Sequence, residues 1–120
     1  MIVEGAGGIM VPLTPRYTFR DLAHAMRLPV VIVARPGLGT INHTLLTISA
    51  LRVRDISIAG IIINYALNRE EGLAEKTSFS IIANISKLPI LGIVFHGEKD
   101  LVRIADKIVS LSRQSQESDK

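Results

Sequence analysis

The chain has 120 residues, the size of one compact domain, and 48% of them are hydrophobic while 21% are charged. That balance is typical of a folded globular protein and excludes a disordered one. The sequence contains no cysteine, which excludes disulfides, thiolate metal sites and a cysteine nucleophile. Its apolar runs are too short to cross a membrane and no signal-peptide pattern is present, so we predict a soluble, cytoplasmic protein with no membrane partner.

The net charge of +3 is concentrated in the first half of the chain. Residues 1–64 carry six cations, all arginine, against three anions, whereas residues 65–120 carry eight of each. Aromatic residues make up only 4% of the chain, so the stacking surfaces of single-strand nucleic-acid binders are lacking. We therefore predict no nucleic-acid partner, and a small anionic ligand near the first half.

Short β-branched runs alternate with helical patterns along the chain. Strands are predicted over residues 29–34 (PVVIVA), 56–64 (ISIAGIIIN) and 89–94 (PILGIV), with the end of another strand at 1–4 (MIVE). Helices are predicted over residues 19–27, 41–54, 70–85 and 99–111, and a polar tail over 113–120. The strands are apolar on both faces, so the pattern predicts an α/β fold, a parallel sheet with flanking helices on both sides.

Ligands bind parallel sheets beyond the carboxyl ends of the strands, so the residues after each predicted strand are candidates for a site. The first such segment is EGAGG at residues 4–8, where glycines let the backbone approach an anion and the Glu4 carboxylate suits Mg²⁺. A surface turn with Glu4 in a salt bridge explains the same residues about equally well.

The second segment, residues 35–43 (RPGLGTINH), places two glycines before a helix N-terminus, where free N–H groups bind carboxylates or phosphates. Thr40 or Asn42 is expected to cap that helix, and ordinary loop-and-cap chemistry explains one glycine more readily than two. Asn64 ends the central strand, where its amide either reads a base edge or forms a turn. Phe95 follows the last strand, where it either walls a base or packs at the rim of the core.

Several other catalytic and phosphate-binding motifs are absent from the sequence. Residues 92–100 (GIVFHGEKD) do not match the phosphate-cradling G-x-x-x-x-G-K-[ST], because Glu98 separates the glycine from the lysine. The three histidines have no metal-binding spacing, and no G-x-S-x-G nucleophile elbow is present.

Three segments, in order along the chain, resemble dethiobiotin synthetase: VEGAGG at 3–8, PVVIVARPGLGTINHTLLT at 29–47 and AGIIIN at 59–64. The resemblance covers roughly residues 2–112, and the first segment is also similar to cobyrinate diamide synthase-type amidotransferases. It implies part of a doubly wound, P-loop NTPase-like fold and a cytoplasmic homodimer. The family uses ATP, Mg²⁺ and CO₂ to close the ureido ring of 7,8-diaminopelargonic acid in biotin biosynthesis.

The resemblance also implies roles for individual residues. Glu4 matches the magnesium-binding glutamate of the family. Nucleotide contacts are implied for Glu4, Gly5, Ala6, Gly7, Asn64, Phe95, His96 and Gly97. Contacts to the substrate carboxylate, reaching into the partner subunit's site, are implied for Leu38, Gly39, Thr40, Ile41 and Asn42. Tyr65, Phe95 and His96 depart from the residues usual in the family.

The half of the family's sequence that supplies the P-loop lysine and threonine has no counterpart in this chain. We therefore expect residues 1–112 to be the C-terminal half of such an enzyme: a fragment, a truncated reading frame or one part of a split enzyme whose P-loop half is a separate chain. The alternative is a free-standing, non-catalytic remnant that binds a ligand or a partner.

The chain alone is expected not to turn over ATP, because phosphoryl transfer needs a phosphate cradle, a phosphate-binding lysine and a fully held Mg²⁺. An assay of ATP hydrolysis and dethiobiotin formation on the purified chain tests this, with Glu4→Ala as the control. Turnover well above that control would contradict the prediction.

Overall fold

A computed structural model describes residues 1–67 and 73–118 of the chain. Its elements are, in chain order, β1 (Pro12–Thr14), β2 (Tyr17–Thr18), α1 (Phe19–Met26), β3 (Val30–Ala34), α2 (Thr40–Arg52), β4 (Ile58–Asn64), α3 (Leu73–Ser86), β5 (Ile90–Val94) and α4 (Val102–Ser118). β3, β4 and β5 form a parallel sheet in that order. The predicted α/β fold with a parallel sheet and flanking helices is confirmed.

The two crossover helices pack on one face of the sheet. α2 connects β3 to β4, α3 connects β4 to β5, and the two helices contact each other. Right-handed connections between strands in sequential order place both helices on the same side. Ile61 and Ile63 of β4 are fully buried there against Leu51 of α2 and Ile82 of α3. This face therefore holds the hydrophobic core.

α4 covers the opposite face of the sheet at β5. Gly92 pairs with Ile62, and side chains alternate along a strand, so both point away from the core face. A Cβ on Gly92 would lie 2.5 Å from Ile104 Cδ1, so α4 can approach this closely only because the residue is glycine. Over β3 the same face is open, and Val33 is 62% exposed. The expectation of helices on both faces thus holds over β5 and is wrong over β3.

A short hairpin ties the N-terminal segment to α1. β1 and β2 pair antiparallel, and the N–H groups of Phe19 and Arg20 donate to the carbonyls of Val11 and Ile9 at 3.1 and 2.8 Å. The sequence did not predict this hairpin, because strands of three and two residues are too short to show a periodic pattern.

The start of α1 is closed by reciprocal hydrogen bonds between Thr18 and Asp21. The Asp21 carboxylate accepts from the Thr18 N–H at 2.9 Å and from its hydroxyl at 2.7 Å, and Arg54 lies 3.4 Å away. The bond from the Thr18 backbone, then that from its hydroxyl, and then the charge of Arg54 hold the pKa of Asp21 below its ordinary 3.8. A lowered folded-state pKa means that this contribution to stability is present above the ordinary pKa and is lost as pH falls through the folded-state value.

Residues 1–4 do not form the predicted strand. No described strand pairs with them, and Met1 and Ile2 are 99% and 97% exposed. An extended segment becomes a strand only when a neighbour exchanges backbone hydrogen bonds with it, so an apolar run alone was not sufficient.

The helix boundaries differ from the prediction mainly at α4, which ends at Ser118 rather than at residue 111. The sequence beyond residue 111 contains neither glycine nor proline, so it carries no helix stop signal. The start of the predicted helix 70–85 falls partly outside the described residues, and the division of the chain at residue 112 stays a prediction. Within 1–67 and 73–118, no helix is long and apolar enough to span a bilayer.

Gly92→Ala is expected to lower the free energy of unfolding by about 1–3 kcal/mol, because the added methyl overlaps Ile104. Urea unfolding measures this change. Gly8→Ala is the matched control, since a Cβ there would meet nothing within 4 Å.

The double variant Gly92→Ala/Ile104→Ala should lose less stability than the sum of its two single variants, because the contacting residues are coupled. Strictly additive losses, or an unchanged stability of Gly92→Ala, would contradict the packing of α4 on β5.

Candidate functional site

A cavity of about 1,030 Å³ opens at the carboxyl ends of β3 and β4. Its walls are the end of β3, the loop into α2, the first two turns of α2, the end of β4 and part of the glycine-rich segment. The lining residues are Gly7, Gly8, Ile32, Val33, Ala34, Arg35, Pro36, Gly37, Leu38, Thr40, His43, Thr44, Thr47, Asn64, Tyr65, Ala66 and Leu67. The volume is at the upper end of the roughly 300–1,000 Å³ found for small-molecule sites, and the position is the one expected for ligands of parallel sheets.

α2 meets this cavity with an N-terminus that no side chain caps. The N-cap is Gly39, in the left-handed region with φ of +88°, and it makes no side-chain capping hydrogen bond. The expectation that Thr40 or Asn42 caps the helix is therefore wrong, because the helix already begins at Thr40. The Thr40 N–H donates to the Gly37 carbonyl at 3.2 Å, whereas the next N–H groups of the first turn have no acceptor within the helix. Such an end favours an anion.

The Thr40 hydroxyl is a buried polar group of the cavity wall at the start of α2. Thr40 is 6% exposed, and its Oγ1 has no hydrogen-bond partner among the described residues. A buried hydroxyl left without a partner costs roughly 1–3 kcal/mol. Thr47 lies about two turns further along the same helical face, and its hydroxyl donates to the His43 carbonyl at 2.9 Å. Of these two threonine hydroxyls, the unpaired one, on Thr40, lies at the helix N-terminus, where an anionic ligand would approach.

The loops after β4 and β5 are tied together beside the cavity. The Tyr65 N–H donates to the Val94 carbonyl at 2.8 Å, and the Tyr65 ring stacks on Phe95 with 5.1 Å between centroids and 27° between planes. His96 Nδ1 lies 3.0 Å from the Ala66 carbonyl oxygen. The turn after β5 thus contacts two residues of the cavity lining and is held next to Asn64.

The glycine-rich segment reaches the cavity through its second half. Gly7, at φ of +79°, and Gly8 line the cavity, and the Val11 N–H closes a turn on the Gly8 carbonyl at 2.9 Å. Glu4 is exposed and does not contribute to the lining.

Few side chains of the described residues could bind a metal ion. In residues 1–67 and 73–118, no three His, Asp or Glu side chains are grouped closely enough to hold a metal ion. Mg²⁺ is often held by one or two carboxylates with phosphate and water oxygens completing its shell. Glu4 therefore suits Mg²⁺ only together with a bound phosphate, and the described residues do not form a metal site by themselves.

The structure brings only part of the predicted set to the cavity: Gly7, Leu38, Thr40 and Asn64 line it. Phe95 and His96 contact lining residues without lining the cavity themselves. The remaining predicted residues lie outside the lining; they are Glu4, Gly5, Ala6, Gly39, Ile41, Asn42 and Gly97. The ligand contacts of all these residues stay predictions.

Of the seventeen described lining residues, thirteen were not among the predicted site residues, and the helical ones form a pattern. His43, Thr44 and Thr47 follow Thr40 at spacings of three, four and seven, which places them on one helical face. That spacing would have revealed them had the helix start been placed at Thr40. Arg35 is the one charged side chain among the described lining residues; the expected anionic ligand near the arginine-rich half stays a prediction.

Comparison with known proteins supports the resemblance seen in the sequence. A family profile described as AAA domain matches residues 1–100. The ATP-dependent dethiobiotin synthetase BioD of Bacillus velezensis is 56% identical over 92 residues, covering 77% of this chain and 39% of the relative. The enzymes of the same name from Thermodesulfovibrio yellowstonii and Methanocaldococcus jannaschii are 46% and 44% identical, covering 78% of this chain and 42% and 44% of the relatives.

These matches confirm the predicted resemblance to dethiobiotin synthetase. The chain spans about two-fifths of the length of the curated relatives it matches.

Thr40→Val is expected to leave the free energy of unfolding unchanged or to raise it by about 1 kcal/mol, since a methyl of similar shape replaces an unpaired buried hydroxyl. Urea unfolding of the ligand-free chain measures this. Thr47→Val is the matched control, because its hydroxyl already has a partner. A loss for Thr40→Val that exceeds that of the control by 1 kcal/mol would show that the Thr40 hydroxyl is satisfied.

Proposed function

The chain belongs to the AAA domain family and is similar to dethiobiotin synthetases. We propose that it forms the base-recognising and substrate-binding part of an ATP-dependent dethiobiotin synthetase. The complete enzyme would use ATP, Mg²⁺ and CO₂ to close the ureido ring of 7,8-diaminopelargonic acid in biotin biosynthesis. The observation that carries this proposal is the cavity, where Gly7, the N-terminus of α2 and Asn64 meet.

The nucleotide base is assigned to the end of β4. The half-buried Asn64 side chain offers an amide donor and a carbonyl acceptor side by side, a pair that complements an adenine edge. Phe95 is held nearby by Tyr65 and is 41% exposed, so part of its surface remains available to the base. The glycines at 5, 7 and 8 leave room for the rest of the nucleotide along the backbone.

The substrate carboxylate is assigned to the start of α2. The unpaired N–H groups of its first turn, the Thr40 hydroxyl and the Arg35 guanidinium all favour a negatively charged group there. Leu38, at the tip of the preceding loop, is 108% exposed and is covered by nothing in the described chain. We assign that loop to the interface with a second copy, where it would reach the partner's substrate.

Bound ATP would supply the phosphoryl group, and Mg²⁺ would offset the charge of the phosphates. Glu4 would give one carboxylate oxygen to the ion. The phosphate-binding lysine would come from a polypeptide that carries a G-x-x-x-x-G-K-[ST] motif, since the chain itself contains none. The residues of this chain would bind and orient the two substrates at opposite ends of the cavity.

The test combines the chain with the remaining part of a matched dethiobiotin synthetase and assays dethiobiotin formation. Asn64→Leu is expected to raise the KM for ATP about tenfold, the effect of losing about one hydrogen bond, with little change for the diamine. Asn84→Leu is the matched control, because Asn84 lies on α3 and accepts from Lys87 at 3.1 Å.

Arg35→Ala is expected to show the reverse pattern: it should raise the KM for the diamine more than it raises the KM for ATP. Equal effects of both variants on both substrates would indicate general damage to the fold. An Asn64 variant that behaves like Asn84→Leu would assign Asn64 to the turn alone.

A further inference from the structure

An anchored ring stack joins the loops after β4 and β5. Tyr65 is 2% exposed, and its ring contacts Phe79 of α3 edge to face, with 6.5 Å between centroids and 89° between planes. The Phe95 ring stacks on Tyr65 from the solvent side and is 41% exposed. Tyr65 is therefore packed against the core on one side and holds Phe95 at the rim of the cavity on the other.

The backbone on both sides of this stack is also fixed. Asn64 pairs with Val94 in the parallel ladder, and the Tyr65 N–H donates to the Val94 carbonyl at 2.8 Å. The Glu98 N–H closes a turn on the Phe95 carbonyl at 3.0 Å, and His96 contacts the Ala66 carbonyl. The separation between the Asn64 side chain and the turn at 95–97 is therefore set by these backbone bonds together with the packing of Tyr65 on Phe95.

We propose that Tyr65 is a positioning residue that sets the selectivity of this site for adenine over guanine nucleotides. The inference rests on the proposed function, because it takes the base to lie between Asn64 and the turn at 95–97. Tyr65 acts through Phe95 and Asn64 rather than by touching the base.

The selectivity follows from the chemistry of the two bases. An asparagine amide pairs with the adjacent donor and acceptor of adenine, whereas guanine presents two acceptors at the corresponding edge. Discrimination is strong only while the Asn64 amide is held in one orientation and the turn cannot move to make room. A turn released from Tyr65 would let guanine shift and pair differently.

The experiment measures the affinities of the full chain for ATP and for GTP by following its backbone amides in NMR titrations. Tyr65→Leu is expected to lower the ratio of the two affinities about tenfold, the order of effect of one aromatic stack. The amides of residues 95–97 should also become more mobile in the free variant. Tyr65→Phe keeps the stacking ring and should restore both the ratio and the rigidity.

Tyr17→Leu is the matched control, since Tyr17 is the other tyrosine and lies in β2, 38% exposed. Phe95→Leu removes the same stack from its exposed partner, so it tests the inference even if Tyr65→Leu does not fold. The double variant should change the ratio by less than the sum of the single effects.

A folded Tyr65→Leu with the wild-type ratio would overturn the positioning role and leave the proposed function intact, and so would an unchanged ratio in Phe95→Leu. A wild-type chain that binds ATP and GTP equally, or neither of them, would overturn both the adenine site and the inference that rests on it.

Discussion

The burial of β4 is the constraint on which the rest of the structure depends. Ile61 and Ile63 are fully buried under α2 and α3, and β4 pairs with a parallel strand on each side. A shift of β4 by one residue would turn both isoleucines to the other face and is therefore strongly disfavoured. The register fixed in this way brings Asn64 and the end of β3 to the same edge, which is where α2 begins.

The N-termini of α1 and α2 differ in how they are capped. α1 starts with a complete reciprocal cap between Thr18 and Asp21. α2 starts behind a left-handed glycine, with no side-chain cap and with the Thr40 hydroxyl unpaired. Uncapped N–H groups at a helix N-terminus favour an anion, so the difference in capping supports a ligand at α2 rather than at α1.

Much of the fold was predictable because the strands of the sheet are continuous β-branched runs that alternate with helical patterns along the chain. The hairpin of β1 and β2 was not, since it depends on hydrogen bonds from Phe19 and Arg20 rather than on periodicity. The apolar run at 1–4 was misleading for the opposite reason: it has the composition of a strand but no described pairing partner.

The site was predictable to the extent that glycines and strand ends mark it. Gly7, Leu38, Thr40 and Asn64 line one cavity as expected. Tyr65 was noted only as a departure from the family, because its role depends on a stack with Phe95 across two strands. A contact between residues so distant in sequence leaves no local pattern.

In the proposed function, one cavity binds the nucleotide base at β4 and the substrate carboxylate at α2. The most direct test is amide NMR on the chain combined with the remaining part of a matched synthetase, adding a non-hydrolysable ATP analogue and 7,8-diaminopelargonic acid separately. We expect the nucleotide to shift the amide signals of Asn64 and residues 95–97, and the diamine to shift those of residues 38–42. Both ligands shifting the same amides, or neither shifting any amide at the cavity, would contradict it.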